Sequence, residues 1–459
     1  MHNTVIMKFK SLFRTSALSI FVALTLLSCQ SNHKIEDVVV IGGGLMGSAV
    51  AWQLSQMEEN VLLIEKQDSV YTSGSSLGEA RASRSLGAKG DIFSYLQKTS
   101  VEESKKLIDY LNKASTRPHS MSEIYTTTPV TYLMYESQQV YFNQLIADND
   151  LEPNSYADNK DDALTNFNIS LADTMMVIQE RLPYSGTMNP NALISKLHVG
   201  IREKGNRVRY QSEVTRIRRV NDLYEVQIKD LETGRSDRIF SKKLVSAAGP
   251  YTGELLNEIS PDYNDLIHPR RVFLAFFELQ EAFYDSLNET QKHQINQSFP
   301  FGNLNSELVF AMIEKYDEGG RPIFKIGGHY IRTYIDDLDS VWNIPLSSNE
   351  KEWSTTQLSD YFSTINIPIG ENDLKFKTGY SCVYSLTENE TPIVSFGIRE
   401  DGTADTNFVV IGGMSGIGAK GTLAYGLIGA NLLLGRTDST KIYLKTQEAL
   451  SINDRQSAH

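Results

Sequence analysis

The chain has 459 residues, 44 basic and 56 acidic, with a formal charge of −12 and two cysteines. That acidic balance argues against nucleic acid and against an anionic membrane surface as partners. The composition, 41% hydrophobic, is that of a soluble globular enzyme, and the length suits roughly two to three domains. No internal repeat, low-complexity tract or metal site is expected.

The amino end reads as a targeting segment. Residues 1–28 hold Lys8, Lys10 and Arg14 but no acid, and the apolar run 17–27 is too short to span a bilayer yet suits the core of a secretory signal. It ends in Leu26-Leu27-Ser28-Cys29, which is similar to a bacterial lipobox, where the cysteine becomes the lipidated first residue. The expectation is an extracytoplasmic protein anchored to a bacterial membrane through Cys29, with a buried N-terminal helix as the alternative. The mature charge would be −15, from 41 basic and 56 acidic residues. Phe13 precedes Arg14, so no twin-arginine signal is present. With Cys29 lipidated, Cys382 has no intramolecular disulfide partner. It is then either buried and inert or committed to another bond.

Residues 35–66 carry the strongest pattern. An apolar strand, Val38 to Ile41, runs into Gly42-x-Gly44-x-x-Gly47. A helix is predicted to about Met57, packing through Ala49, Val50 and Leu54, and a second strand, Val61 to Ile64, ends in Glu65. This is a dinucleotide fingerprint in its proper strand, turn, helix, strand context. Gly42 permits the turn, Gly44 lets amides approach a pyrophosphate, and Gly47 lets the helix pack. Glu65 is placed to accept from a ribose hydroxyl, which favours FAD or NAD over NADP.

The loop "GSSLGEARASR", residues 74–84, follows with two arginines three apart, Arg81 and Arg84. A guanidinium fork suits a planar carboxylate, although alone the pair reads as surface arginines. Residues 240–256 supply another strand, ending in Ala247-Ala248-Gly249-Pro250. Runs such as "TYLMYES" and "RRVFLAFFEL" predict a mostly antiparallel sheet forming a substrate roof. "IFKIGGHY" places Lys325 and His329 four apart, on one face of a strand. "SCVYSLTENETPIV" holds Cys382 and Tyr384. Last, "FVVIGGMSGIGAKGTLAYGLIGANLLL" repeats the strand, glycine turn, helix pattern. Its helix N-terminus near Gly416, Gly418 and Lys420 suits a developing negative charge such as that of a reduced flavin.

From about Ile35 to Gly435 the chain resembles the monomeric sarcosine oxidase family of amine-oxidising flavoproteins, within the D-amino-acid-oxidase fold group. The loops near 155–180 and 282–305 differ. The resemblance implies an α/β FAD-binding Rossmann-like domain (33–114 with 186–254 and 372–436). An inserted, mostly antiparallel β-sheet substrate domain (115–185 with 255–371) and a C-terminal tail (437–459) complete it. It implies that Ser75 lies in the cofactor loop and that Arg81 lies near the flavin ring. Arg84 and Lys420 would clamp an α-carboxylate, with Tyr384 and His329 on the substrate side. Lys325 would face the flavin where O2 is reduced. Cys382 would be bonded to the flavin 8α-methyl group. Two departures stand out: Ser76 and Leu77 occupy positions where many family members have histidines, and Phe310 or Ala311 stands where a roof tyrosine is expected.

The implied activity is FAD-dependent oxidation of a small secondary or N-methylated amino acid by a monomer. The imine is then hydrolysed, and reoxidation by O2 gives hydrogen peroxide. A same-fold dehydrogenase serving a quinone or other carrier stays open, as does a lipid-anchored binding protein without turnover.

Overall fold

The computed structural model describes residues 34–304, 308–335, 337–342, 344–370 and 372–452. The targeting segment and Cys29 lie outside the described residues. Among the described residues no helix is long and apolar enough to cross a membrane. In chain order the elements that build the site are β1 (Ile35–Ile41), α1 (Leu45–Gln56), β2 (Val61–Ile64), α2 (Pro190–Glu203), β3 (Ser236–Ser246), β4 (His268–Leu279), β5 (Phe310–Tyr316), β6 (Pro322–Gly327), β7 (Leu374–Leu386), β8 (Ala404–Gly412) and α3 (Thr422–Leu433).

β1 is central in the first sheet because its core, Val38 to Val40, is apolar on both faces and fully buried. It pairs in parallel with β2 on one side and with β3 on the other. β8 adds in parallel to β3, with Leu244 opposite Phe408. The two glycine-rich strands, far apart in sequence, thus lie in one sheet. Their helices also touch. A Cβ on Gly426 of α3 would lie 2.6 Å from the backbone carbon of Ala49 in α1, so the missing side chain is what lets the helices close. Helix Lys441–Leu450 buries Tyr443 and Leu450 in the same core. Residues 441–450, expected as part of a tail, are therefore part of the packed body.

The second sheet is the roof. Its strands are antiparallel except where Phe301–Asn303 runs parallel to Val130–Tyr135. β4 lies between β6 and β7, with Phe276 opposite Lys325 and Val272 opposite Cys382. The segment 374–386 was expected in the FAD-binding domain, and it is instead a long strand of the roof. Register explains this: β7 follows β4 from His268 opposite Leu386 to Leu279 opposite Leu374, a ladder long enough to commit the whole segment. Together the sheets give a discontinuous α/β layer with an antiparallel layer above it.

A buried polar chain ties α2 beneath the first glycine turn. His198 contacts Ser48 Oγ at 2.8 Å and Tyr210 Oη at 2.8 Å, and Ser48 Oγ donates to the Gly43 carbonyl at 2.5 Å. Burial, reinforced by the Arg202 charge, lowers the His198 pKa from 6.5 to about 4. The imidazole is therefore neutral in the folded chain but protonates in the unfolded chain below its ordinary value. Stability from this group is complete above that value and is lost as pH falls toward the folded one, by roughly 3 kcal/mol. We expect denaturant midpoints measured between neutral and acid pH to fall less steeply for His198→Gln than for the wild type.

Candidate functional site

A cavity of about 980 Å3 runs between the two layers, lined by both glycine turns and by the cavity face of the roof. At its floor, Gly42 takes φ +92°, and a Cβ there would sit 2.5 Å from the Ala247 carbonyl oxygen. A Cβ on Gly47 would sit 1.7 Å from the Gly42 carbonyl oxygen. Only glycine permits this turn and this helix approach. Gly44 caps α1 without a side-chain hydrogen bond, so the first turn of the helix supplies amides and partial positive charge. Glu65 accepts from the Gly43 amide at 2.6 Å and from the Gln67 amide at 2.7 Å. It also lines the cavity, and each carboxylate oxygen retains a second lone pair for a hydroxyl. Burial raises its pKa, and these backbone donors pull it back.

The second turn is stitched to the roof. The Ser415 amide donates to the Ser385 carbonyl at 3.0 Å, and the Thr387 amide donates to Ser415 Oγ at 3.2 Å. Gly416, at φ +79°, lies under the Tyr384 ring, where a Cβ would come within 2.7 Å. Gly418 opens the short turn Ala419–Gly421 ahead of α3.

The roof brings its expected residues to one face. Residues directly opposite in a ladder share a face. Cys382 faces Val272, Lys325 faces Phe276, and Met312 faces Lys325. Since side chains alternate, Val272, Leu274 and Phe276 share a face, and with them Phe310, Met312, Lys325 and Cys382. Phe310 is therefore on the cavity face, while Ala311 points into the roof core. His329 follows β6 and meets the Tyr384 ring edge-on, with centroids 6.2 Å apart.

Charge is concentrated at the seam. Lys325 is fully buried and donates to the Ala80 carbonyl and to Glu314. Burial first, then the Arg81 charge, lowers its pKa to about 7 against the pull of Glu314. Arg81 donates to the Leu77 carbonyl at 2.5 Å and to the Ala80 carbonyl at 2.9 Å, which curls its loop. Ser75 Oγ donates to the Val383 carbonyl at 2.8 Å and so ties that loop to β7. Burial pushes the Cys382 thiol up, and Arg81 opposes that push.

Arg84 and Lys420 also line the cavity. Arg84 sits over the Tyr132 ring at 5.7 Å. Lys420 has Phe93 beneath it at 5.3 Å. Burial, then the Arg84 charge, holds Lys420 well below its ordinary pKa. Sequence reading missed Glu314 and Glu180. Glu180 is fully buried and accepts from Tyr132 Oη at 2.7 Å and from the Ser85 and Leu86 amides at 2.6 and 3.0 Å. The available signal was an acid following an apolar run in each of two strands, "MMVIQE" and "FAMIEKY".

An elongated cavity that begins at a glycine fingerprint and ends under a roof of apolar and cationic groups defines a dinucleotide-dependent oxidoreductase. The cradle that side chains at Gly42 and Gly47 would fill fits the diphosphate of FAD, and the second turn fits the far end of the same cofactor. The chain belongs to the DAO family of FAD dependent oxidoreductases, whose family model matches residues 37–432. It is 23% identical over 407 residues to a protein of Arabidopsis thaliana described as a probable sarcosine oxidase, covering 87% of this chain and 88% of that one. It is 22% identical over 412 residues to the monomeric sarcosine oxidase of Bacillus sp. (strain B-0618), covering 88% and 93%. Among solved structures, L-proline dehydrogenase from P. horikoshii matches with a TM-score of 0.66 at 17% identity, covering 92% of this chain and 99% of that one.

Gly47→Ala is expected to abolish flavin retention or folding, since overpacking of this kind costs about 1–3 kcal/mol or more. Visible absorbance of the purified variant, compared with the wild type, checks this.

Proposed function

We propose that this protein oxidises small secondary or N-methylated amino acids, using FAD and passing electrons to O2. One observation carries the reading. Among the described residues, neither Arg84 nor Lys420 forms an ion pair, yet both line the same cavity, and the Arg84 charge bears on Lys420. Two desolvated cations lining one cavity, with Glu180 pulling on both but no counter-ion at ion-pair distance, are costly. A substrate carboxylate would supply that counter-ion, and a guanidinium beside an ammonium suits its planar, bidentate geometry. The likeness to sarcosine oxidases over most of the chain supports the amine as the reacting group.

In this reading Arg84 and Lys420 hold the carboxylate and so fix where the C–N bond lies. His329, whose pKa burial and Arg332 lower, is neutral near pH 7, and a ring nitrogen can take the proton of the substrate ammonium. Tyr384, against His329 and above Gly416, closes the substrate side. The glycine turns and Glu65 would hold the nucleotide part of FAD, and Arg81 and Lys325 would hold its ring end. FAD, when bound, supplies the acceptor for a hydride equivalent from the carbon beside nitrogen. Water then hydrolyses the imine, and O2 leaves as hydrogen peroxide.

Cys382 is proposed as the covalent anchor. Joining its Sγ to the 8α carbon replaces an S–H and a C–H bond with one C–S bond. Two protons and two electrons are released, and dioxygen takes them up. The same reading places the enzyme outside the cytoplasm, with Cys29 lipidated, on the strength of the basic, apolar and small-residue sequence before it.

Arg84→Met and Lys420→Met should each lower kcat/KM for an N-methyl amino acid by about 10- to 100-fold, in line with a lost charged hydrogen bond. They should leave the flavin spectrum intact. Steady-state kinetics with peroxide detection read both the loss and the acceptor. For the anchor, acid-precipitated wild-type protein is expected to stay yellow after washing, and Cys382→Ser to lose its colour. Absence of substrate-dependent bleaching across an amine panel would defeat the proposed activity.

A further inference from the structure

Glu314 is absent from the mechanism so far, and its setting is unusual. β5 and β6 pair regularly from Phe310 opposite Gly327 to Ile313 opposite Phe324, and then Lys315 rather than Glu314 stands opposite Ile323. Glu314 is the extra residue of a β-bulge, a device that re-aims one side chain. It is aimed at the cavity-facing lysine. Its carboxylate accepts from the Glu79 amide at 2.6 Å, from the Ala80 amide at 3.1 Å and from Lys325 Nζ. Lys325 returns to the same loop by donating to the Ala80 carbonyl. Two of the three ammonium donors are thereby fixed, leaving one for the cavity. Gly78 makes the closure possible, because a Cβ there would lie 2.6 Å from Arg81 Nη1 and 3.1 Å from Glu314 Oε1.

We propose that Glu314 is a positioning residue that holds Lys325 toward the cavity where the flavin would bind, favours its ammonium form, and docks the Arg81 segment on the roof. The proposal rests on the reading that FAD fills the cavity. The titratable and charged groups facing Lys325 are Arg81 from the short strand Arg81–Ser83, Glu314 from β5, and Cys382 from β7. Tyr380 of β7 faces Arg81, Cys382 and Glu314. From β4 come only Val272, Leu274 and Phe276. Glu314 is thus the sole carboxylate in a group with two cations. Without it, a fully desolvated ammonium beside a guanidinium would shed its proton. The pKa of Lys325, already lowered to about 7 with Glu314 in place, leaves little margin.

The test uses FAD-loaded protein and the flavin's absorbance as a function of pH, with no turnover required. In the wild type a spectral transition is expected near neutrality, and Lys325→Met should remove it. Glu314→Gln should move it at least about one pH unit lower, a tenfold loss of proton affinity, and Glu314→Asp should bring it part of the way back. The pH above which oxygen reoxidises the reduced enzyme slowly should shift in the same order. A transition that Lys325→Met removes but Glu314→Gln leaves in place would overturn the proposal while sparing the FAD reading. A transition that persists in Lys325→Met, or none in the wild type, would place Lys325 away from the flavin and overturn it too. Protein that binds no flavin would sink both. Should Glu314→Gln fail to fold, Glu314→Leu with Lys325→Met removes both charges together and is expected to fold. Its failure would count against the pair as the reason.

Discussion

The structure depends on joining two sheets across a cavity that cannot be filled with side chains. Apolar packing holds each layer, and Leu86 packs with Val130, Tyr132 and Met134 of the roof; around the cavity the seam is made of charge and backbone hydrogen bonds. Glu314, Lys325 and Ala80 close one side. Ser75 on Val383, and Ser415 with Ser385 and Thr387, close the other. Apart from the Glu314–Lys325 pair within the roof, each contact pairs a roof residue with a residue of a glycine-rich loop below. Buried groups of this kind are costly alone and tolerable only when every partner is present. The loops beneath the roof are therefore held to their shape by the same contacts that keep the cavity open.

Electrostatics divides the cavity in two. At one end Arg81 and Lys325 are compensated by Glu314, and the balance is nearly settled within the protein. At the other, Arg84 and Lys420 lack an ion pair among the described residues, while Glu180, which pulls on both, also accepts from Tyr132, Ser85 and Leu86. The first end is built to present a fixed charge and the second to receive one. That asymmetry separates the roles of two cation pairs that look alike in sequence.

Much of this was legible in the residues. β1, α1 and β2 announce themselves because the period changes from strand to helix at a glycine turn and back. The expectation that Lys325 and His329 share a strand face does not hold: β6 ends at Gly327, and His329 reaches the cavity from the bend beyond it. The roof's membership could not be read. The alternation around Cys382 would serve in either sheet, and only the β4 ladder decides. The bulge at Glu314 is a one-residue slip between two strands, invisible to any pattern within one of them. Helix Lys441–Leu450 reads as a tail in sequence because its few apolar residues gain meaning only against a core drawn from helix Ile92–Ala114 and strand Ile393–Ile398.

The meeting of Gly426 with Ala49 has a consequence for the birth of the molecule. The nucleotide turn near residue 42 leaves the ribosome early, but the helix that covers α1 and the strand that completes its sheet are among the last parts made. Contacts of such long sequence separation form late. Throughout synthesis the fingerprint turn waits without its neighbour, so the holoprotein can be assembled only from a finished chain. Wherever the polypeptide travels before that moment, it travels without a completed seat for its cofactor.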